Sequence, residues 1–166
     1  DYVYIREAKD KVTPEYVLVV LDGFSRFVWM HAFRAANAAN VATALMQWFG
    51  LFGVCRQWVT DQGRHFMNDV MEQLRARLGA DHRFTTAYAP WSNGIVERVG
   101  RSLRESLSAL LSELRGKLSA DQWHLLLPVV NNVVNQSPSS AIGGYSPITA
   151  FTGRPASSPL EVVFAP

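Results

Sequence analysis

The chain has 166 residues, 48% of them hydrophobic, which suits one domain with a sizeable core. Sixteen basic residues against fourteen acidic give a formal charge of +2 and a pI near 8.9, too weak a bias for a polybasic arm, so any nucleic-acid contact must rest on where the arginines fall. No apolar run approaches the roughly 20 residues that cross a bilayer, no signal peptide precedes the first strand pattern, and the lone Cys55 excludes an internal disulfide or a cysteine-based zinc site.

Residues 1–5 are rich in β-formers and predict a strand. Residues 6–14 are charged and end in proline, a connection. The continuous apolar run 16–21 predicts a strand buried on both faces. Asp22-Gly23 supplies a hairpin turn, and residues 27–33 return as an antiparallel third strand. Over 37–52 the period changes: Val41, Leu45, Trp48, Phe49 and Phe52 recur at helical spacing until Gly53. A short strand over 56–60 follows, then an amphipathic helix over 66–78 with Val70, Leu74 and Leu78 inward, then a fifth strand over 82–85. Strand–helix–strand alternation after a hairpin predicts a mixed sheet covered by helices.

Residues 86–94 contain Pro90, Asn93 and Gly94 and predict a mobile loop. A long helix is expected over 95–118. Another should start near Ser119 and run through Val134, bent or divided by Pro128. From about 136 the chain is rich in serine, glycine and proline and reads as irregular, with a short helix near 147–151. No internal repeat or second domain is visible, so residues 1–166 are expected to form one domain.

Two acids stand out. Asp61 ends the strand pattern Trp58-Val59-Thr60, and ligands gather at strand ends in sheets flanked by helices; Gly63 allows the sharp turn that leaves it unobstructed. An Asp before a Gly is also a common turn residue. Glu97 lies in the first turns of the long helix, where an acid also serves the helix dipole or an i,i+4 pair with Arg101. At about 100° per residue, Asn93, Glu97, Arg101 and Arg104 fall within roughly 40° of one line. That polar, basic stripe flanks the apolar one of Leu103, Leu107, Leu110 and Leu114. Clustered carboxylates without cysteine favour a hard cation, Mg²⁺ or Mn²⁺, and a pair of such ions suits in-line phosphoryl transfer. The histidines show no ligand spacing, and no serine-hydrolase or P-loop pattern occurs.

The motifs Thr60-Asp61-Gln62-Gly63-Arg64-His65-Phe66 and Tyr88-Ala89-Pro90-Trp91-Ser92-Asn93-Gly94-Ile95-Val96-Glu97-Arg98, with thirty-five residues between Asp61 and Glu97, resemble the catalytic core of retroviral and retrotransposon integrases. Val19-Val20-Leu21-Asp22-Gly23-Phe24-Ser25-Arg26 and Ser146-Pro147 through Gly153-Arg154 are similar to the Ty3/gypsy-like branch. The resemblance covers essentially the whole chain. It implies an α/β, ribonuclease-H-like fold: a five-stranded mixed sheet, three strands antiparallel and two parallel, with helices on both faces.

It also implies a D,D-35-E triad. The catalytic first acid of the family belongs to the first strand, about twenty residues before the acid of the second; Asp1 occupies that place, and Asp22 is then a turn residue. Asp1, Asp61 and Glu97 are thus the expected catalytic and metal-binding residues, with Asp1 and Asp61 sharing one ion and Asp1 and Glu97 the other. By resemblance, water attacks near the 3′ end of the element's DNA, and the freed hydroxyl then attacks target DNA. Asn93 and Gly94 match a DNA-approaching loop with Tyr88 and Pro90 at its base, and Arg101 and Arg104 match basic positions that touch the element's DNA end. Ala89 and Trp91 depart from the histidine and glutamine common there, which bears on loop contacts and not on metal ligation.

Partners implied are element-end DNA, target DNA and further copies of the chain as a homodimer or higher multimer, without a membrane. The implied location is nuclear, after release from a polyprotein. With Asp1 as its first residue, the chain reads as cut at the domain's edge. Two alternatives stay open: an inactive DNA- or protein-binding module of the same fold, and a nuclease acting on RNA–DNA hybrids.

Overall fold

The computed structural model describes residues 1–6, 10, 12–84 and 90–157, the side chains of 90–93 excepted. The chain divides into two compact units, Asp1–Leu18 with His31–Ile95, and Val19–Met30 with Val96–Pro166.

In the first unit, β1 (Tyr2–Tyr4) pairs antiparallel with β2 (Tyr16–Leu21), Val3 opposite Val17. The third strand, β3 (Val28–Phe33), completes an order β1-β2-β3. Helix α1 (Ala38–Phe52) starts where Asn37 accepts a hydrogen bond from the Asn40 N–H at 2.9 Å. It stops at Gly53, whose φ of 85° a side chain would resist. Its buried residues are Val41, Ala44 and Trp48, a narrower stripe than expected: Phe49 and Phe52 are 39% and 45% exposed.

Next, β4 (Gln57–Thr60) and β5 (Asp81–Phe84) pair in parallel across the crossover helix α2 (Asp69–Leu78). This helix packs against α1. It begins three residues later than its apolar pattern suggests, because Asn68 caps it by accepting from the Met71 N–H at 3.1 Å. Met71 is accordingly the buried residue, with Leu74 and Leu78 half-buried; Val70, expected inward, is 49% exposed. Among the described residues the three antiparallel and two parallel strands form separate ladders, flanked by helices.

The second unit holds the hairpin turn, most of α3 (Pro90–Glu113), α4 (Leu127–Gln136) and α5 (Pro147–Thr152). Helix α3 begins earlier than the loop-like composition of 86–94 suggests, since proline is well placed in a first helical turn; residues 85–89, with Tyr88, lie outside the described residues. It also ends earlier than expected, in a turn with Gly116 at φ 90°. Leu103 and Leu107 are buried along it. A 3₁₀ segment, Ala120–Leu126, starts with a Ser119–Gln122 capping box and leads directly into α4, with Pro128 in the first turn of that helix. Trp123, Leu126, Leu127 and Val130 form this unit's core with Leu103 and Leu107.

One side chain does the work of a neighbouring strand. Asn135 accepts from the Val28 N–H at 2.8 Å and donates its amide to the Val28 carbonyl at 2.7 Å, both residues being buried. Among the described residues, no helix is long and apolar enough to cross a membrane.

Candidate active site

Asp61 directly follows β4 and is exposed. Its Oδ1 accepts from the Gly63 N–H at 2.9 Å, a turn that fixes one carboxylate oxygen. The glycine lies in this turn without needing a glycine's backbone angles. Gly63 is not among the glycines at positive φ; what it provides is space. A Cβ there would lie 2.7 Å from His65 Cε1, 2.9 Å from His65 Nε2 and 3.0 Å from Asp61 Oδ1.

Asp1 precedes β1, its carboxylate accepting from the Tyr2 N–H at 2.7 Å. Its amino group is buried, which lowers the pKa from 8.0 to about 6 against the opposing pull of the Asp61 charge. Around them, the His65 ring stands edge-on to Tyr2 at 4.9 Å and to Phe66 at 4.3 Å. The Tyr2 hydroxyl donates to the Asn37 carbonyl at 3.0 Å. Burial, partly offset by that hydrogen bond, pushes its pKa up to about 12. Burial also lowers the His65 pKa, ahead of the opposing Asp61 charge.

Glu97 belongs to the second unit and is exposed on α3. Arg101 and Arg104, one and two turns on, are exposed too, while Leu103 and Leu107 face inward, so the basic stripe is a solvent-facing one. Asn93 and Gly94 lie in the helix's opening turns, Gly94 half-buried. Asp22 is held in the hairpin turn, its Oδ2 accepting from the Ser25 N–H at 2.8 Å and the Ser25 hydroxyl at 2.6 Å. The residue beside Asp1, Tyr2, and the glycine held by Asp61, Gly63, both meet the His65 ring. Among the described residues, no group of three or more His, Cys, Asp or Glu side chains is gathered to hold a metal ion. His65, which reads in the sequence only as a residue near a helix start, is the addition; a turn places it, and no periodicity signals it.

Residues 1–90 match the integrase core domain family. The chain belongs to that family. This integrase core domain is 32% identical over 142 residues to the Gag-Pol polyprotein of feline leukemia virus, covering 85% of this chain and 8% of that polyprotein. It therefore spans a small part of the curated relatives it matches. Among solved structures, it resembles a chain of the simian T-cell lymphotropic virus intasome in complex with PP2A regulatory subunit B56 gamma. The TM-score is 0.73 at 20% identity, over 95% of this chain and 58% of that one. The HTLV-2 integrase catalytic core domain in complex with magnesium, in its trimeric form, gives 0.68 at 18% identity, over 90% and 94%. These likenesses establish the retroviral integrase core fold.

Burial of histidines works against this core in acid. His31 and His82 have pKa values lowered from 6.5, in both cases first by burial. A folded-state value below the unfolded one means that the unfolded chain takes up more protons in acid. Stability is therefore fully present above about pH 6.5 and is lost as the pH falls through the folded values. Thermal melts at pH 7.5, 6.5 and 5.5 should show a falling midpoint, and His82→Gln should flatten the trend; a midpoint that rises toward pH 5.5 contradicts it.

Proposed function

We propose that this core carries out divalent-metal-dependent 3′-end processing of an element's DNA and its strand transfer into target DNA. What supports the reading is that Asp1, just before β1, and Asp61, just after β4, lie beside residues that meet one ring, with His65 against Tyr2 and Gly63, in a chain of the integrase core family. The expected ligand set, Asp1, Asp61 and Glu97, offers oxygen donors only. Cys55 is engaged by the Trp58 indole N–H, and His65 Nε2 is buried. That chemistry fits Mg²⁺ or Mn²⁺, two ions in all. When bound, such ions supply charge stabilisation to the entering and leaving oxygens of an in-line displacement. The magnesium in the HTLV-2 core domain agrees with this choice.

The chain's own residues then divide the remaining work. Gly63 N–H orients Asp61. Exposed Arg101 and Arg104 bind phosphates of the element's end, which guanidinium suits better than ammonium. Asn93 and Gly94, near the N-terminus of α3, approach the DNA where backbone N–H groups favour anions. Acting on host DNA, the protein works in the nucleus.

Assembly as a homodimer or higher multimer has support in each unit separately. Along the end of the 3₁₀ segment and α4, Leu125, Val129 and Val133 recur every four residues at 55%, 47% and 40% exposure. On α1, Met46, Phe49 and Phe52 are exposed as well. Apolar stripes of this kind mark contact surfaces. Val129→Glu is expected to shift the protein toward monomer in sedimentation velocity without unfolding it; an unchanged distribution removes α4 from the interface.

The deciding assay supplies Mg²⁺, element-end DNA and target DNA, and looks for a shortened 3′ end and joined product. Binding of DNA with neither product favours the alternative, an inactive binding module of the same fold.

A further inference from the structure

We infer that the His65 ring is a positioning residue that sets the spacing between Asp1 and Asp61, acting by its shape and not by its nitrogens. The inference rests on the reading that these two acids bind metal. Among the described residues, strands β1 and β4 lie in separate ladders. The imidazole touches both sides. On one side it stands edge-on to Tyr2, the neighbour of Asp1. On the other it lies over Gly63, whose N–H is held by Asp61 Oδ1.

The ring is itself held firmly. The Phe66 and Met67 N–H groups donate to the Gly63 carbonyl at 2.8 and 3.2 Å, and Asn68 Nδ2 donates to the His65 carbonyl at 3.0 Å. Phe66, 3% exposed, backs the ring from below and stacks on Tyr2 at 6.2 Å.

Two details separate shape from polarity. His65 Nε2 is buried with no hydrogen-bond partner among the described residues, whereas a side chain retained for polar contact would have one. Gly63 does not need a glycine's backbone freedom, only its missing Cβ, and the atoms that Cβ would strike first are those of this ring. Glycine and histidine are thus a matched pair: one leaves the space and the other fills it.

The test is Mn²⁺ titration of the whole chain, reading free Mn²⁺ by electron paramagnetic resonance, with near-ultraviolet circular dichroism confirming that each variant is folded. Asp61→Asn serves as the reference for lost ligation. His65→Ala is expected to weaken Mn²⁺ binding about 10–100-fold, as for residues that orient ligands. His65→Phe, which keeps a ring and removes the nitrogens, should restore binding to within about threefold of the original. Gly63→Ala should weaken binding in the original protein and add nothing in the His65→Ala protein, which also covers the case in which His65→Ala alone fails to fold. If His65→Ala binds like the original while Asp61→Asn does not, the positioning role is overturned. Equal losses in His65→Phe and His65→Ala would overturn the role of shape. Unchanged binding in Asp61→Asn would instead remove the metal reading beneath it.

Discussion

Replacing Asn135 with alanine should destabilise the second unit by about 2–6 kcal/mol, because it strands two buried backbone groups at about 1–3 kcal/mol each. Val28 N–H and C=O have Asn135 as partner, and the two residues are 1% and 3% exposed. The loss should read as a lower denaturant midpoint with an unchanged slope. Asn135→Asp separates the two bonds, since a carboxylate still accepts from the Val28 N–H but cannot donate to its carbonyl. It also buries a charge, so it should cost no less than alanine. A loss under about 0.5 kcal/mol would mean that water replaces the amide at the strand edge.

Strand transfer by the Asp61→Asn protein is expected to fall at least about a hundredfold, with stability unchanged. Asparagine keeps the oxygen that accepts from the Gly63 N–H, so the turn after β4 survives and only the charge is lost. An exposed position gives no other reason for a folding defect. Asp22→Asn is the matched control, because the Asp22 carboxylate is spent on Ser25 within the hairpin turn. Equal activity in Asp61→Asn and the original protein, measured on element-end DNA with Mg²⁺, would remove the proposed mechanism. A collapse in Asp22→Asn without unfolding would move the first acid from Asp1.

The strands were the most readable part of this chain, because apolar runs and turn residues report directly on backbone pairing. The run at Tyr16–Leu21 and the Asp22-Gly23 turn predict a hairpin, and β2 and β3 form one. Helix faces were less legible. Periodicity alone could not fix the start of α2, since the Asn68 cap decides it, and a few residues of shift exchange Val70 for Met71 as the buried member. On α1 the pattern marks Phe49 and Phe52 as apolar correctly but cannot tell core from exposed contact surface.

Asp61 was legible as a strand-end acid. The partners that organise its surroundings were not. His65 meets Tyr2 across sixty-odd residues of chain, and Asn135 meets Val28 across 107. Neither contact leaves any period or spacing in the sequence.

The Asp22–Ser25 turn has a kinetic corollary. Strands β2 and β3 are joined by residues 22–27 alone, closed by Asp22 N–H to the Phe27 carbonyl at 2.8 Å and Arg26 N–H to the Asp22 carbonyl at 3.0 Å. Such a hairpin zips in about 1–10 μs. The parallel β4–β5 pair must first close a loop holding the whole of α2, a slower and entropically dearer event. Refolding should therefore begin at this hairpin. In stopped-flow chevrons, Ser25→Ala is expected to slow refolding while substitutions in β5 mainly hasten unfolding. The acid that the proposed mechanism leaves out is then the one expected to start the chain folding.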